Sequence, residues 1–172
     1  FCPGVDKETE NRNATALIND IMLGLSTELD KSKPSVLVAH YTVSGSEADN
    51  GSTFLAGQDV VVLPATIDAM GVDLACFGHI HKPQRLVCQT PAFYCGSVNQ
   101  LTFNDEGTEH GFYIHTIDGQ VSSEFAVTPE RKHFTLRLSP EDVSSFITGG
   151  VAPTPDGISD AVVRVRYSCT AE

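Results

Sequence analysis

The stretch Asp73-Leu74-Ala75-Cys76-Phe77-Gly78-His79-Ile80-His81 decides how the chain is read. Its first half is a short apolar run of the kind that forms a strand buried on both faces in a parallel sheet. A glycine and two histidines follow at once. In open α/β sheets functional groups gather beyond the carboxyl ends of strands, and Gly78 permits a sharp backbone turn there. A second run of similar texture, Ser35-Val36-Leu37-Val38-Ala39, leads directly into His40. The two runs predict neighbouring strands of one sheet, with His40 and His79 delivered to the same edge. His40, His79 and His81 then form a candidate set of metal ligands at two strand ends. For His40 taken alone, the plainer alternative is an ordinary hydrogen-bonded histidine.

Outward from this centre the pattern alternates. Ala14, Leu17, Ile18, Ile21, Met22, Leu25 and Leu29 recur at steps of three and four, which predicts an amphipathic helix over residues 8 to 30. Asp59 to Leu63 reads as a strand, Pro64 opens a short helix to Met70, and Gly71 ends it. Helix, strand, loop, short helix and strand in that order describe an α/β sandwich. After Pro83 the texture turns to short strands at 85–89, 92–95, 112–117 and 121–127, with Asp118-Gly119 as a hairpin turn. Ser139 is a good N-cap, Pro140 suits the first helical position and Asp142 can close a capping box, so a helix runs to Ile147 between strands at 133–138 and 161–167. Gly149-Gly150 stops it, Pro153 and Pro155 punctuate a loop, and the last strand exposes Arg164 and Arg166 on one face. Two units are expected, 1–128 and 129–172, the second a small α+β module that the chain truncates.

The 172 residues carry 11 Lys and Arg against 22 Asp and Glu, a net charge of -11. That balance argues against a free-standing nucleic-acid coat protein or a protein held on anionic lipid, though not against a local basic groove. No apolar run reaches the roughly 20 residues that a membrane helix needs, so no membrane association is expected. Phe1 is not a translated start, and a longer parent protein is expected. The five cysteines, Cys2, Cys76, Cys88, Cys95 and Cys169, have no metal-knuckle spacing. Cys76 is expected to pack as a small hydrophobe. A reduced cytoplasmic compartment fits the odd count, with a Cys88 to Cys95 pairing as the alternative.

Val38-Ala39-His40 and the string Leu74 to Gln84, which contains Gly78-His79-Ile80-His81-Lys82-Pro83, resemble the last two metal motifs of the calcineurin-like metallophosphoesterases, specifically the SbcD-type DNA repair exonucleases. Tyr94-Cys95-Gly96-Ser97 and Gly111-Phe112 are similar to the region that follows in that group. The resemblance covers roughly residues 35 to 127. It implies the later half of a metallophosphoesterase β-sandwich flanked by helices, then the start of a capping domain. It further implies two ions, usually Mn²⁺, with His40 and His79 on one and His81 on the other. A water activated between them would attack a phosphodiester of DNA. An SbcC-type coiled-coil ATPase would be the partner, and the parent protein could form a homodimer.

The chain departs from that family where negative charge is needed. Asp-x-His, Gly-Asp-x-x-Asp and Gly-Asn-His, the family's first three motifs, are missing from the sequence, and neutral imidazoles cannot supply the charge of a dinuclear site. Those motifs are expected upstream of Phe1. The polar loop Tyr41 to Gln58 offers Ser44-Gly45-Ser46 and Asn50-Gly51-Ser52-Thr53 as contacts to a nucleic-acid backbone, against the equal alternative of a solvated loop. Lys82 and Arg85 could attract phosphate. His110, His115 and His133 are read as structural. Two other functions compete with the exonuclease: a catalytically silent phosphoesterase-like interaction module, and a phosphoesterase acting on proteins or small phosphates.

Overall fold

The two apolar runs that lead into histidines are neighbouring strands. In a computed structural model, which describes residues 6–48, 51–54, 58–151 and 158–168, the chain is a mixed α/β fold. Asn50, Pro153, Pro155 and the cysteines Cys2 and Cys169 lie outside the described residues. In chain order the elements are α1 (Lys7–Ser26), β1 (Val36–His40), β2 (Thr42–Val43), β3 (Val61–Val62), α2 (Pro64–Met70), β4 (Leu74–Gly78), β5 (Gln84–Arg85) and β6 (Ala92–Tyr94). There follow β7 (Gly111–Asp118), β8 (Gln120–Val127), β9 (His133–Leu138), α3 (Pro140–Ile147) and β10 (Val162–Tyr167).

β1, β4, β6 and β5 form one sheet in that spatial order, with β1, β4 and β6 parallel and β5 antiparallel to β6. Ala75 and Phe77 of β4 point to the helices and are fully buried with Met22, Ile67, Met70 and Tyr94. On the opposite face Phe93 of β6 meets Tyr113 of β7, with ring centroids 5.0 Å apart. The β7–β8 hairpin turns at Gly119, whose φ of +68° favours a residue without a Cβ.

α1 begins at Asp6, whose carboxylate accepts from Thr9 N at 3.0 Å and holds the Asp6 pKa below the usual range. It stops at Ser26, short of the expected Asp30. There the hydroxyls of Ser26 and Thr27 donate to the carbonyls of Leu23 and Gly24, satisfying the last turn with side chains. The helix is fixed to β3 by buried polar groups: Asn19 Nδ2 donates to Val61 O at 2.9 Å, and Asn19 Oδ1 accepts from Leu63 N at 2.9 Å. Its apolar stripe is wider than the surface it covers, for Met22 is buried while Leu17, Ile21 and Leu25 stand open.

β1 corrects the expectation of a strand buried on both faces. Among the described residues it pairs with β4 alone, and its exposure alternates, with Val38 78% exposed. The first residues of the polar loop also carry more order than their composition suggests, because Thr42 and Val43 pair in parallel with Val61 and Val62.

The chain divides into two units, residues 1–98 with 109–128 and residues 99–108 with 129–172. The segment 99–108, read from sequence as part of the first, belongs with the second. Its Gln100 N donates to Glu130 at 2.7 Å, its Gln100 Oε1 accepts from His133 N at 2.6 Å, and Glu106 accepts from Thr135 N at 2.7 Å. In this unit β9 and β10 are parallel. α3 between them is capped by Ser139 and Asp142, each side chain bonded to the other's backbone N–H. Arg164 departs from the exposed face expected for it: its guanidinium lies 4.3 Å from the Phe103 ring centroid and donates to Thr135 Oγ1.

Candidate metal centre

The sheet register sets His40 of β1 beside Gly78 of β4. The imidazole of His40 lies across that glycine so closely that a Cβ there would sit 2.7 Å from His40 Nδ1. Gly78 therefore serves as an opening for the ring as well as a turn residue. An extended strand would point His79 to the face opposite His40, since successive side chains alternate. Instead His79 has φ +99°, a left-handed conformation that is costly for a non-glycine residue. This turn brings the His79 ring to the His40 ring, with centroids 5.5 Å apart and planes at 74°. Ile80 follows as an anchor, 4% exposed in the core.

Tyr94 holds the other side. Its buried hydroxyl accepts from Val43 N at 2.7 Å and donates to Tyr41 O at 2.8 Å, clamping the backbone just after His40. Burial raises the phenol pKa, so it remains a donor. Nothing in the sequence pointed to this role, for Ala92-Phe93-Tyr94 reads as a plain strand.

His81 is half-buried, and its carbonyl accepts from Ser97 N at 3.0 Å. It does not complete a cluster with the other two histidines: no three His, Cys, Asp or Glu side chains among the described residues converge into a ligand set. The pair His40 and His79 suits the nitrogen preference of a divalent transition ion, but the described residues bring no carboxylate to complete it.

Of the remaining candidates, Ser44 is half-buried with its N–H donating to Val62 O at 2.9 Å, and Ser46 is buried with its hydroxyl donating to Val43 O at 2.6 Å. Ser46 thus faces inward. Lys82 pairs with Glu47 at 2.7 Å, while Gln84 accepts from Glu47 N and donates to Glu47 O, so this stretch of loop is tied to the segment after His81. Arg85 is exposed, 6.0 Å from the Phe93 ring centroid. The three other histidines pack against neighbours: His110 is fully buried against Ser97, His115 stacks on Tyr113, and His133 meets Phe103 edge-on.

The alternative of a Cys88 to Cys95 pairing is not met. Cys88 Sγ donates to Thr90 O at 3.2 Å, and Cys88, Cys95 and Cys76 are all free thiols. Cys76, expected to pack as a small hydrophobe, is half-buried. No protein-family model matches the chain, and no curated protein matches it.

Proposed function

We propose that the chain is the later part of an SbcD-type, manganese-dependent DNA repair exonuclease subunit, acting in the cytoplasm with an SbcC-type ATPase. On this reading residues 1–128 belong to a metallophosphoesterase β-sandwich and residues 129–172 begin a capping domain. The observation that carries it is the approach of His79 to His40 over Gly78 through a left-handed backbone at a strand end. Strain of this sort persists where the surrounding structure enforces it, and it clusters at functional sites. His40 and His79 would hold one ion and His81 would contribute to a second. Bound Mn²⁺ supplies the charge that acidifies water and neutralises the leaving oxygen. The residues of this chain orient the imidazoles: Tyr94 fixes the segment after His40, and Ile80 fixes the turn at His79. The carboxylates that complete the centre would approach along the edge of β1 that has no partner strand among the described residues. Arg85 and the Ser44 segment offer contacts to a DNA backbone.

A second reading, a silent phosphoesterase-like interaction module, is favoured by one observation, the lack of a three-residue ligand set among the described residues. Nuclease assays with Mn²⁺ and with chelator separate the two. The 172-residue chain alone should cleave DNA negligibly. A longer protein that supplies the acidic motifs should cleave it, and His79→Ala or His81→Ala should abolish cleavage with the fold intact. Full activity in both variants removes the histidine assignment, and an inactive long protein favours the silent module.

A further inference from the structure

The parallel register of β9 and β10 sets Arg166 beside Arg137 and Arg164 beside Thr135. Side chains at alternate positions share a face, so His133, Thr135 and Arg137 of β9 lie with Val162, Arg164 and Arg166 of β10. Of these, Arg137 and Arg166 are exposed and the others are half-buried. The apolar side chains that stand open on β10, Val163, Val165 and Tyr167, belong to the other face. Arg164 is held in place: its guanidinium lies 4.3 Å from the Phe103 ring centroid and donates through Nε and Nη2 to Thr135 Oγ1 at 3.2 and 2.9 Å.

The positive charge of this face is not cancelled from within. Arg137 and Arg166 sit on neighbouring strands, about 4.8 Å apart at the backbone, and like charges so placed cost stability. Among the described residues neither forms an ion pair. Glu106, the carboxylate that reaches this face, is taken by the N–H and hydroxyl of Thr135 and lies 4.0 Å from Arg164 Nη2. Neutralising groups are plentiful elsewhere: residues 131–166 hold five of the chain's 11 basic residues but four of its 22 acidic ones, so the net charge of -11 is carried by the rest of the sequence.

We propose that Arg137 and Arg166, with Arg164 as a fixed charge beside them, bind the phosphodiester backbone of a nucleic-acid strand. A phosphate between the two exposed guanidiniums relieves their repulsion, and the forked N–H groups match its oxygens in pairs. Arg164 stands two residues before Arg166, roughly 6.6 Å back along the strand, so the charges form a row suited to a polymer that repeats its own charge. An acidic protein surface fits this face less well. The centre of a protein interface is depleted of charged side chains and rich in apolar ones, whereas nucleic-acid interfaces are polar and strongly positive. Here the exposed residues are arginines, and the open apolar residues of β10 are on the opposite face. Contact to the backbone alone makes the binding independent of base sequence. The site lies in the second unit and holds whether or not the histidines of the first bind metal.

The test is fluorescence anisotropy of a labelled oligothymidine strand titrated with the 172-residue chain at low salt, with a chelator present so that no metal contributes. The double variant Arg137→Gln, Arg166→Gln should weaken binding at least about tenfold, the loss of two charge-assisted contacts. The slope of log Kd against log salt should flatten by roughly 0.7 for each arginine removed. Stability in urea should not fall, since the repulsion leaves with the arginines; a fall would make them structural and overturn the site. Lys7→Gln with Arg12→Gln removes two exposed charges from α1 and should leave the slope unchanged. Absence of binding by the unsubstituted chain overturns the proposal, and so does an equal loss in the two double variants, which would reduce the effect to net charge. Displacement of the strand by polyglutamate as readily as by unlabelled oligothymidine would assign the face to acidic polypeptides and overturn the nucleic-acid reading. His79→Ala should bind as the unsubstituted chain does, which keeps this result separate from the cleavage assays; a loss of binding there would move the contact to the histidine centre.

Discussion

β1 and β4 are parallel neighbours of five residues each, in register from Val36 beside Leu74 to His40 beside Gly78. In sequence they look like equals. In the fold, β4 has a partner strand on each side, and Leu74, Ala75 and Phe77 are no more than 2% exposed. β1 has one partner among the described residues, and Val36 and Val38 are 48% and 78% exposed. Beside it runs an apolar groove of about 400 Å³, lined by Ile21 and Leu25 of α1 and Leu37 to Ala39 of β1. The apolar content of a strand reports the surface it is suited to bury, whereas burial depends on what lies alongside. The centre sits across this boundary, with His40 on the open strand and His79 on the enclosed one.

The largest expected effect tests that contrast directly. Phe77→Ala removes a wholly buried ring from β4 and should cost about 3–5 kcal/mol in urea-induced unfolding followed by circular dichroism. Val38→Ala on β1 should change stability by no more than about 0.5 kcal/mol, as for an exposed site without special contacts. Similar losses for the two would mean that the edge of β1 is covered in solution and the comparison is void.

Next in size is Tyr94→Phe, which sharpens how the enclosed part of the sheet governs the open one. The substitution leaves the buried Val43 N–H and the Tyr41 carbonyl without the hydroxyl that joins them. The loss should be about 1–3 kcal/mol, from the desolvated donor left unpaired. Amide exchange should accelerate at Tyr41 to Val43 more than in β4. Uniform acceleration over both strands would assign Tyr94 to packing alone.

The sequence made β4, the β1–β4 pairing, the hairpin at Gly119 and the cap of α3 legible, because each is written in local chemistry: an apolar run, a turn glycine, a Ser and an Asp three residues apart. It did not reveal the exposure of Val38, since the same valine serves a central or an edge strand. The place of Gln100 and Glu106 with the second unit was hidden as well. Their hydrogen bonds to residues near 130 to 135 span about 30 positions and leave no periodicity. For the centre, the three histidines could be picked out by their strand-end context, while the left-handed turn at His79 could not. A histidine after a glycine carries no sign of positive φ. The role of Tyr94 depends on register, which composition does not encode.

His79→Gly tests whether that turn is held for the site rather than for the fold. Glycine accepts φ +99° without the steric cost a histidine bears, of order 1–3 kcal/mol, although glycine loses about 0.5–1 kcal/mol more chain entropy on folding. The balance predicts a gain of about 1 kcal/mol in stability together with loss of Mn²⁺-induced broadening at the His40 ring in NMR spectra. A loss of stability would show that the His79 side chain contributes packing that outweighs its strain.

The smallest effect on stability should come from Gly78→Ala, and it separates the pairing of the two rings from the integrity of the strands. A Cβ at position 78 meets His40 Nδ1 at 2.7 Å and Cε1 at 3.3 Å, with no other part of the fold nearer than the rest of that ring. His40 is exposed and its ring can rotate away, so the clash is relieved by a side chain rather than by the backbone. Unfolding free energy should stay within about 0.5 kcal/mol of the unsubstituted chain. The ring, however, can no longer lie across β4 beside His79. Paramagnetic Mn²⁺ should broaden the imidazole signals of His40 and His79 together in the parent chain, and those of neither or only one in the variant. Joint broadening that survives Gly78→Ala would mean that the approach over the glycine is not what pairs the histidines. An unfolded variant would mean that β1 is held to β4 more rigidly than its open face implies.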